Sequence, residues 1–187
     1  MGHPVMPVVI ARLCEGIVVK ANADNRSIRM IYRFDGMGDV LPLIDCFLPN
    51  ETEATRIANV SDRMAALDWL VRRVPLVVMK QGDRGAIAAQ RKTHPDTQDS
   101  SLPYRVYRCP AVSLPSEAIV DATGAGDAFD AGFLFGWVWG RSVELGLKLG
   151  CAAGAMTVKM VGACAEPVRL GDVLQVVEQS RMDVTHS

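Results

Sequence analysis

Val120-Asp121-Ala122-Thr123-Gly124-Ala125-Gly126-Asp127-Ala128-Phe129-Asp130-Ala131-Gly132-Phe133 sets a glycine-rich turn directly against an acidic residue. Ahead of it, Ala118 to Val120 is short and apolar and follows Pro115 and Ser116, so it reads as a brief strand. Gly124 and Gly126 permit a tight turn with backbone N–H groups left free. From Asp127 onward, Phe129, Phe133, Leu134 and Trp137 recur at helical spacing. A helix start offers unpaired N–H groups and partial positive charge, which stabilise an anion. On spacing alone, Asp127 is equally a dipole partner or cap for that helix. A P-loop fits poorly, because Asp127-Ala128 stands where Lys-Ser/Thr is needed. A dinucleotide fingerprint fits poorly too, because Phe129 occupies the place of its third glycine.

Outward from this run, strand and helix signals alternate, which implies a parallel sheet with covering helices. Ile17 to Lys20 reads as a strand, and Asp39 to Leu43 as a short helix leading into a strand at Asp45 to Leu48. Glu51 to Ala58 reads as a short helix. Ser61 is placed to cap a helix reaching Arg73, with Met64, Leu67, Leu70 and Val71 on one face. Leu76 to Met79 is a buried strand, with Ala86 to Ala89 expected nearby. Thr93 to Pro103 is polar and proline-bearing, hence a loop, and Tyr104 to Cys109 alternates as a strand. Helices are expected from about Gly126 to Trp139, from Val143 to Met160 and from Leu170 to Ser180. The second is rich in Ala and Gly, which allows close packing. No repeat or low-complexity tract interrupts the series, so residues 1–187 read as a single domain.

The chain has 187 residues, enough for one proper core. Hydrophobic residues make up 49%, which argues against disorder. The net charge is -1 with no basic block, which argues against a nucleic-acid partner. The longest uncharged apolar stretch, Ala131 to Gly140, is too short to cross a bilayer, so no membrane is expected. Met1 to Ile10 lacks the basic start and sustained apolar run of a signal peptide. Cysteines at 14, 46, 109, 151 and 164 form no Cys-x-x-Cys pair, which favours reduced thiols and a cytoplasmic location. The three histidines make no metal-ligand spacing.

Asp121-Ala122-Thr123-Gly124-Ala125-Gly126-Asp127-Ala128-Phe129, with Ala131-Gly132-Phe133 following, resembles the C-terminal signature of the ribokinase-like (PfkB) carbohydrate kinases. Leu48-Pro49-Asn50-Glu51-Thr52-Glu53-Ala54 resembles that family's Asn-x-x-Glu motif. Val77 to Ala86, with Lys80, Gly82 and Gly85, resembles its nucleotide-side strand and glycine turn. Gly150-Cys151-Ala152-Ala153-Gly154-Ala155 and Gly162-Ala163 resemble its helix and loop near the adenine. The resemblance runs from about Gly16 to about Val177 and implies an α/β, three-layer α/β/α ribokinase-like fold with a mostly parallel sheet. The family's N-terminal half, with its di-glycine motif, most sugar contacts and β-sheet lid, has no counterpart here.

The resemblance implies a role for each motif. Phosphoryl transfer needs a positioned nucleophile, cation neutralisation and donors for the phosphoryl oxygens. Asp127 is the candidate base for a substrate hydroxyl, and the N–H groups of Gly124, Ala125 and Gly126 are the candidate anion hole. Asp121 matches an aspartate that helps hold a monovalent cation such as K⁺; by itself it reads equally as a turn-forming residue. Asn50 and Glu53 match residues that organise Mg²⁺ through water and touch the phosphates of ATP. Their spacing is also close to a capping box, and both readings hold together. Lys80, Gly82, Gly85 and Cys151 match nucleotide-side positions; the two glycines read nearly as well as an ordinary tight turn.

Two departures from the family pattern stand out. Cys151 replaces an asparagine frequent against the adenine, and it is a poorer hydrogen-bond partner. Asn22, Asp24 and Arg26 exchange the acid and amide of a frequent Asp-x-Asn-x-Arg motif.

The expected function is ATP-dependent phosphoryl transfer to a hydroxyl of a sugar or polyol. The alternative is a shortened, non-catalytic nucleotide-binding or scaffolding module, motivated by Cys151 and the missing half. A shortened piece of a full-length kinase is the third reading. Half of a doubly wound sheet leaves a raw edge, so a homo-oligomer or a partner chain is expected to cover it.

Overall fold

The computed structural model describes residues 10–11, 17–21, 28–32, 40–92, 102–162, 168–180 and 182–186. The expectations for Asn22, Asp24 and Arg26, for the stretch 93–101 and for Ala163 lie outside the described residues. The elements are β1 (Ile10–Ala11), β2 (Ile17–Ala21), β3 (Ile28–Tyr32), β4 (Cys46–Phe47), α1 (Glu51–Ala58), α2 (Arg63–Val71) and β5 (Leu76–Lys80). They continue with β6 (Ala86–Arg91), β7 (Tyr104–Cys109), α3 (Ala125–Val138), α4 (Val143–Thr157), α5 (Leu170–Gln179) and β8 (Thr185–His186). Six strands follow one another in the order β1-β4-β5-β6-β7-β8, and β2 pairs with β3 in a separate ribbon. The sheet is mixed: β1, β4 and β5 pair in parallel, while β7 and β8 are antiparallel. The architecture is α/β. The chain divides into two compact units, residues 1–79 with 89–105 and residues 80–88 with 106–187.

In the first unit, α1 starts at a reciprocal cap. Asn50 Oδ1 accepts from the Glu53 N–H at 2.8 Å, and Glu53 Oε2 accepts from the Asn50 N–H at 2.8 Å. The helix ends at Asn59, whose left-handed φ of 53° lets a short polar side chain close the turn. The next helix is capped by Asp62, which accepts from the Ala65 N–H at 2.7 Å, rather than by Ser61. Its buried stripe is Ala66, Leu67, Leu70 and Val71. Met64 is 38% exposed, because at roughly 100° per residue it lies about 90° from the centre of that stripe. Leu41, Ile44, Phe47, Val74 and Leu76 to Met79 complete this core. On the surface, Asp68 takes two bonds from Arg72 (2.9 and 3.0 Å) and one from the Tyr104 hydroxyl (2.9 Å). The Arg72 bonds hold the Asp68 carboxyl below its ordinary range.

In the second unit, α3 and α4 cross with glycines on both sides. A Cβ on Gly132 would stand 2.6 Å from the Leu149 carbonyl oxygen, and one on Gly136 would stand 2.7 Å from Gly146 Cα. The close approach buries Phe129, Phe133, Leu147 and Leu149. Ser142 caps α4 by accepting from the Leu145 N–H at 3.1 Å.

The stretch expected as a strand at Ala118 to Val120 is not one. Pro115, with its ring-fixed φ of -66°, opens a 3-10 turn at Ser116–Ala118. The Val120 and Asp121 N–H groups then both donate to the Val158 carbonyl, at 2.8 and 3.1 Å. Two donors on one acceptor make a loop clasp, not a ladder, and Ile119 and Val120 stay half exposed. Among the described residues, no helix is long and apolar enough to cross a membrane, and Cys46, Cys109 and Cys151 are buried and form no disulfide.

Candidate functional site

The glycine turn adopts the geometry that its residues permit. Gly124 sits at φ 80° as the residue before α3, a left-handed conformation that L side chains resist. The Asp127 and Ala128 N–H groups both close onto the Gly124 carbonyl, at 3.0 and 2.9 Å. The Ala125 N–H turns back to the Ala122 carbonyl at 3.2 Å. Among the described residues, the Gly124 and Gly126 N–H groups meet no acceptor. Of the three donors expected in the anion hole, two are thus open and the third is held in a long turn bond. Asp127 stands in the first turn, partly exposed.

Asp121 is the hinge of the preceding loop. Its Oδ1 accepts from the Thr123 N–H (2.9 Å) and hydroxyl (2.7 Å), and its Oδ2 from the Gly162 N–H (2.9 Å). The Thr123 hydroxyl, the Thr123 N–H and the Gly162 N–H together hold its carboxyl below the ordinary range. The turn-forming reading of Asp121 is therefore realised.

Lys80 closes β5. Its ammonium lies 2.8 and 3.0 Å from the two carboxylate oxygens of Asp130, and both side chains are largely buried. A Cβ on exposed Gly126 would stand 3.8 Å from Lys80 Nζ, so the ammonium lies beside the first turn of α3. Sequence reasoning missed Asp130, which sits at 9% exposure between apolar neighbours. The signal was in the chain: a lysine ending the buried run Leu76 to Met79 needs a counter-charge.

Beyond Lys80, Gly82 to Arg84 forms a 3-10 turn with Gly82 at φ 61° and Gly85 at φ 91°. A Cβ on Gly85 would fall 2.1 Å from the Cys109 carbonyl oxygen, so the turn is wedged against the end of β7. Cys151 lies buried in α4 beside Cys109. Their mutual hydrogen bond and burial push the Cys151 thiol far above the ordinary range, so it is an uncharged, inert group. In the first unit, Asn50 and Glu53 are brought together by the reciprocal cap, which leaves Glu53 Oε1 outside it. Among the described residues, no group of three His, Cys, Asp or Glu side chains is placed to hold a metal.

Residues 13–169 match the model of the pfkB family of carbohydrate kinases. An uncharacterized sugar kinase of Archaeoglobus fulgidus is 31% identical over 137 residues, which is 72% of this chain and 49% of that protein. The cytidine kinase of Thermococcus kodakarensis is 32% identical over 136 residues, 71% of this chain and 43% of that one. The structure of Arabidopsis thaliana ribokinase complexed with ribose and ATP aligns with a TM-score of 0.62 at 26% identity, covering 75% of this chain and 43% of that one. The chain thus spans about half, or less, of the length of these relatives.

Proposed function

This chain belongs to the pfkB family of carbohydrate kinases, and on that premise we propose that it carries the machinery moving the γ-phosphoryl group of ATP to a hydroxyl of a sugar or sugar-bearing molecule. The observation that carries the reading is the start of α3. There, two open N–H groups and a helix dipole stand in the turn that also carries Asp127, with the Lys80 ammonium beside it.

Asp127 takes the acceptor hydroxyl proton as that oxygen bonds to the γ-phosphorus. The bond between the γ-phosphorus and the β–γ bridging oxygen breaks, and ADP leaves with the electron pair. The Gly124 and Gly126 N–H groups meet the phosphoryl oxygens, where preorganised donors in a partly buried turn stabilise developing charge. Gly82, Gly85 and Cys151 line the nucleotide side, and the uncharged Cys151 offers adenine packing in place of an amide's hydrogen bonds.

The donor set fits Mg²⁺, which keeps several waters and needs one or two carboxylates plus phosphates, not an all-protein cage. Glu53 would hold it through water with Asn50 beside it, since the cap uses only Oε2 of Glu53. When bound, the ion neutralises charge on the β- and γ-phosphates. Asp121 would hold a monovalent cation such as K⁺ together with loop carbonyls. Free thiols and ATP use fit the cytoplasm.

The test is ADP release by the purified chain with ATP and Mg²⁺ across sugars, sugar acids and nucleosides. Acceptor-dependent ADP release, abolished in Asp127→Asn, is the expected result. ATP binding with no acceptor-dependent turnover would favour the non-catalytic module, and no ATP binding at all would overturn both readings.

A further inference from the structure

The Lys80–Asp130 pair is costly to bury, and neither helix dipole nor cap requires it. Its placement is specific. Asp130 lies one turn along α3 from Asp127 and Gly126, with its carboxylate 2.8 and 3.0 Å from Lys80 Nζ. An ammonium has three N–H donors. Two are satisfied by the two carboxylate oxygens, which leaves the third for another acceptor. The nearby position that would cover the ammonium is Gly126, which has no side chain and is exposed. The pair therefore presents a cation, fixed in advance, along the side of the turn that holds the two open N–H groups.

We propose that Asp130 is a positioning residue: it holds the Lys80 ammonium against the first turn of α3, so that Lys80 contacts the phosphate chain of a nucleoside triphosphate. The inference rests on the proposed function and adds to it the pair and its division of labour. A free lysine side chain loses rotamer entropy when it is immobilised. Asp130 imposes that ordering during folding, so it does not weaken ligand binding. A purely structural salt bridge would have the same contacts but no bearing on which ligand binds.

The experiment compares ATP, pyrophosphate and adenosine binding to the wild-type chain, to Asp130→Asn and to the double variant Lys80→Met/Asp130→Leu, with folding followed by circular dichroism. The apolar double variant removes both charges together, the change that buried pairs tolerate best. Both variants are expected to weaken ATP binding by about tenfold to a hundredfold, with adenosine binding unchanged. In the wild type, acylation of Lys80 by an amine reagent, read by peptide mass, is expected to slow with ATP or pyrophosphate and not with adenosine.

A folded double variant that binds ATP as tightly as wild type overturns the inference while leaving the proposed function standing. Lys80 labelling that is indifferent to ATP does the same, and it decides the matter if neither variant folds. A wild-type chain that binds no ATP overturns the function and the inference together.

Discussion

Alanine placed at Gly136 sets two effects of known sign against each other. Within a helix, Gly→Ala gains about 1 kcal/mol from backbone entropy. Here the new methyl would lie 2.7 Å from Gly146 Cα and N and 2.9 Å from the Leu145 carbonyl carbon, all backbone atoms that cannot swing away. Restoring ordinary contact parts α3 from α4 by roughly 0.7 Å, and a gap of that size forfeits a quarter to a half of the dispersion energy across it. The contacts loosened are those of Phe129, Phe133, Leu147 and Leu149, all nearly inaccessible. Overpacking of this kind costs about 1–3 kcal/mol. The clash offsets or outweighs the gain, and a net loss of up to about 2 kcal/mol is expected. Gly171 in α5 is the internal control: no atom lies within 4 Å of its would-be Cβ. Gly171→Ala should therefore stabilise by up to about 1 kcal/mol. Urea unfolding followed by helical circular dichroism reads both, with the midpoint compared at unchanged slope. If Gly136→Ala matches or exceeds wild type while Gly171→Ala gains nothing, the close-approach account of the α3–α4 crossing is refuted.

Three further outcomes follow from the same geometry. Asp127→Asn should lower phosphoryl transfer by about 10²–10⁴-fold while leaving ATP affinity nearly intact; in steady-state kinetics, an unchanged kcat would remove Asp127 from the role of base. Asn50→Ala deletes the acceptor half of the α1 cap and should cost about 1 kcal/mol in urea unfolding, so a variant as stable as wild type would show the cap to be dispensable. Asp121 has a folded pKa below its ordinary 3.8. Its carboxylate therefore contributes stability above about pH 4 that is lost as pH falls through the lower folded value. The protection factors of the Thr123 and Gly162 amides, with the intrinsic pH dependence of exchange divided out, should fall across that acid window in wild type and stay level in Asp121→Asn.

Legibility in the sequence followed how local each interaction is. The start of α1 was readable because both halves of its cap lie within Asn50 to Glu53. The turn at Gly82 to Gly85 was readable because positive φ selects glycine. Ala118 to Val120 was misread because its donors find the Val158 carbonyl, which no local pattern announces. The two-residue strand β8 and the ribbon strand β3 were missed because pairing, not periodicity, defines them. Asp130 was passed over because a single acid in an apolar helix looks like a surface residue until Lys80, 50 positions earlier, is found against it. The family motifs located the candidate site residues; the structure supplied the partition of N–H donors at Gly124, Ala125 and Gly126.

The clasp at Asp121 closes a circuit. Its carboxylate ties the residue just before the glycine turn to Gly162, 41 positions on, past the end of α4. The two helices between are already joined at their other end by the short connection from Trp139 to Ser142. The hairpin of α3 and α4 is thereby stapled at both ends by non-covalent ties, and closing a loop of that length costs only a few kcal/mol of chain entropy once the helices are packed. Such a ring opens as one cooperative unit, not residue by residue. Gly124 to Asp127 lie inside it, one turn from the fastening. Protonating the Asp121 carboxylate would remove its ties to Thr123 and Gly162 while the Val120 and Asp121 N–H bonds to the Val158 carbonyl remain, so the ring would loosen at its fastening before it opens as a whole.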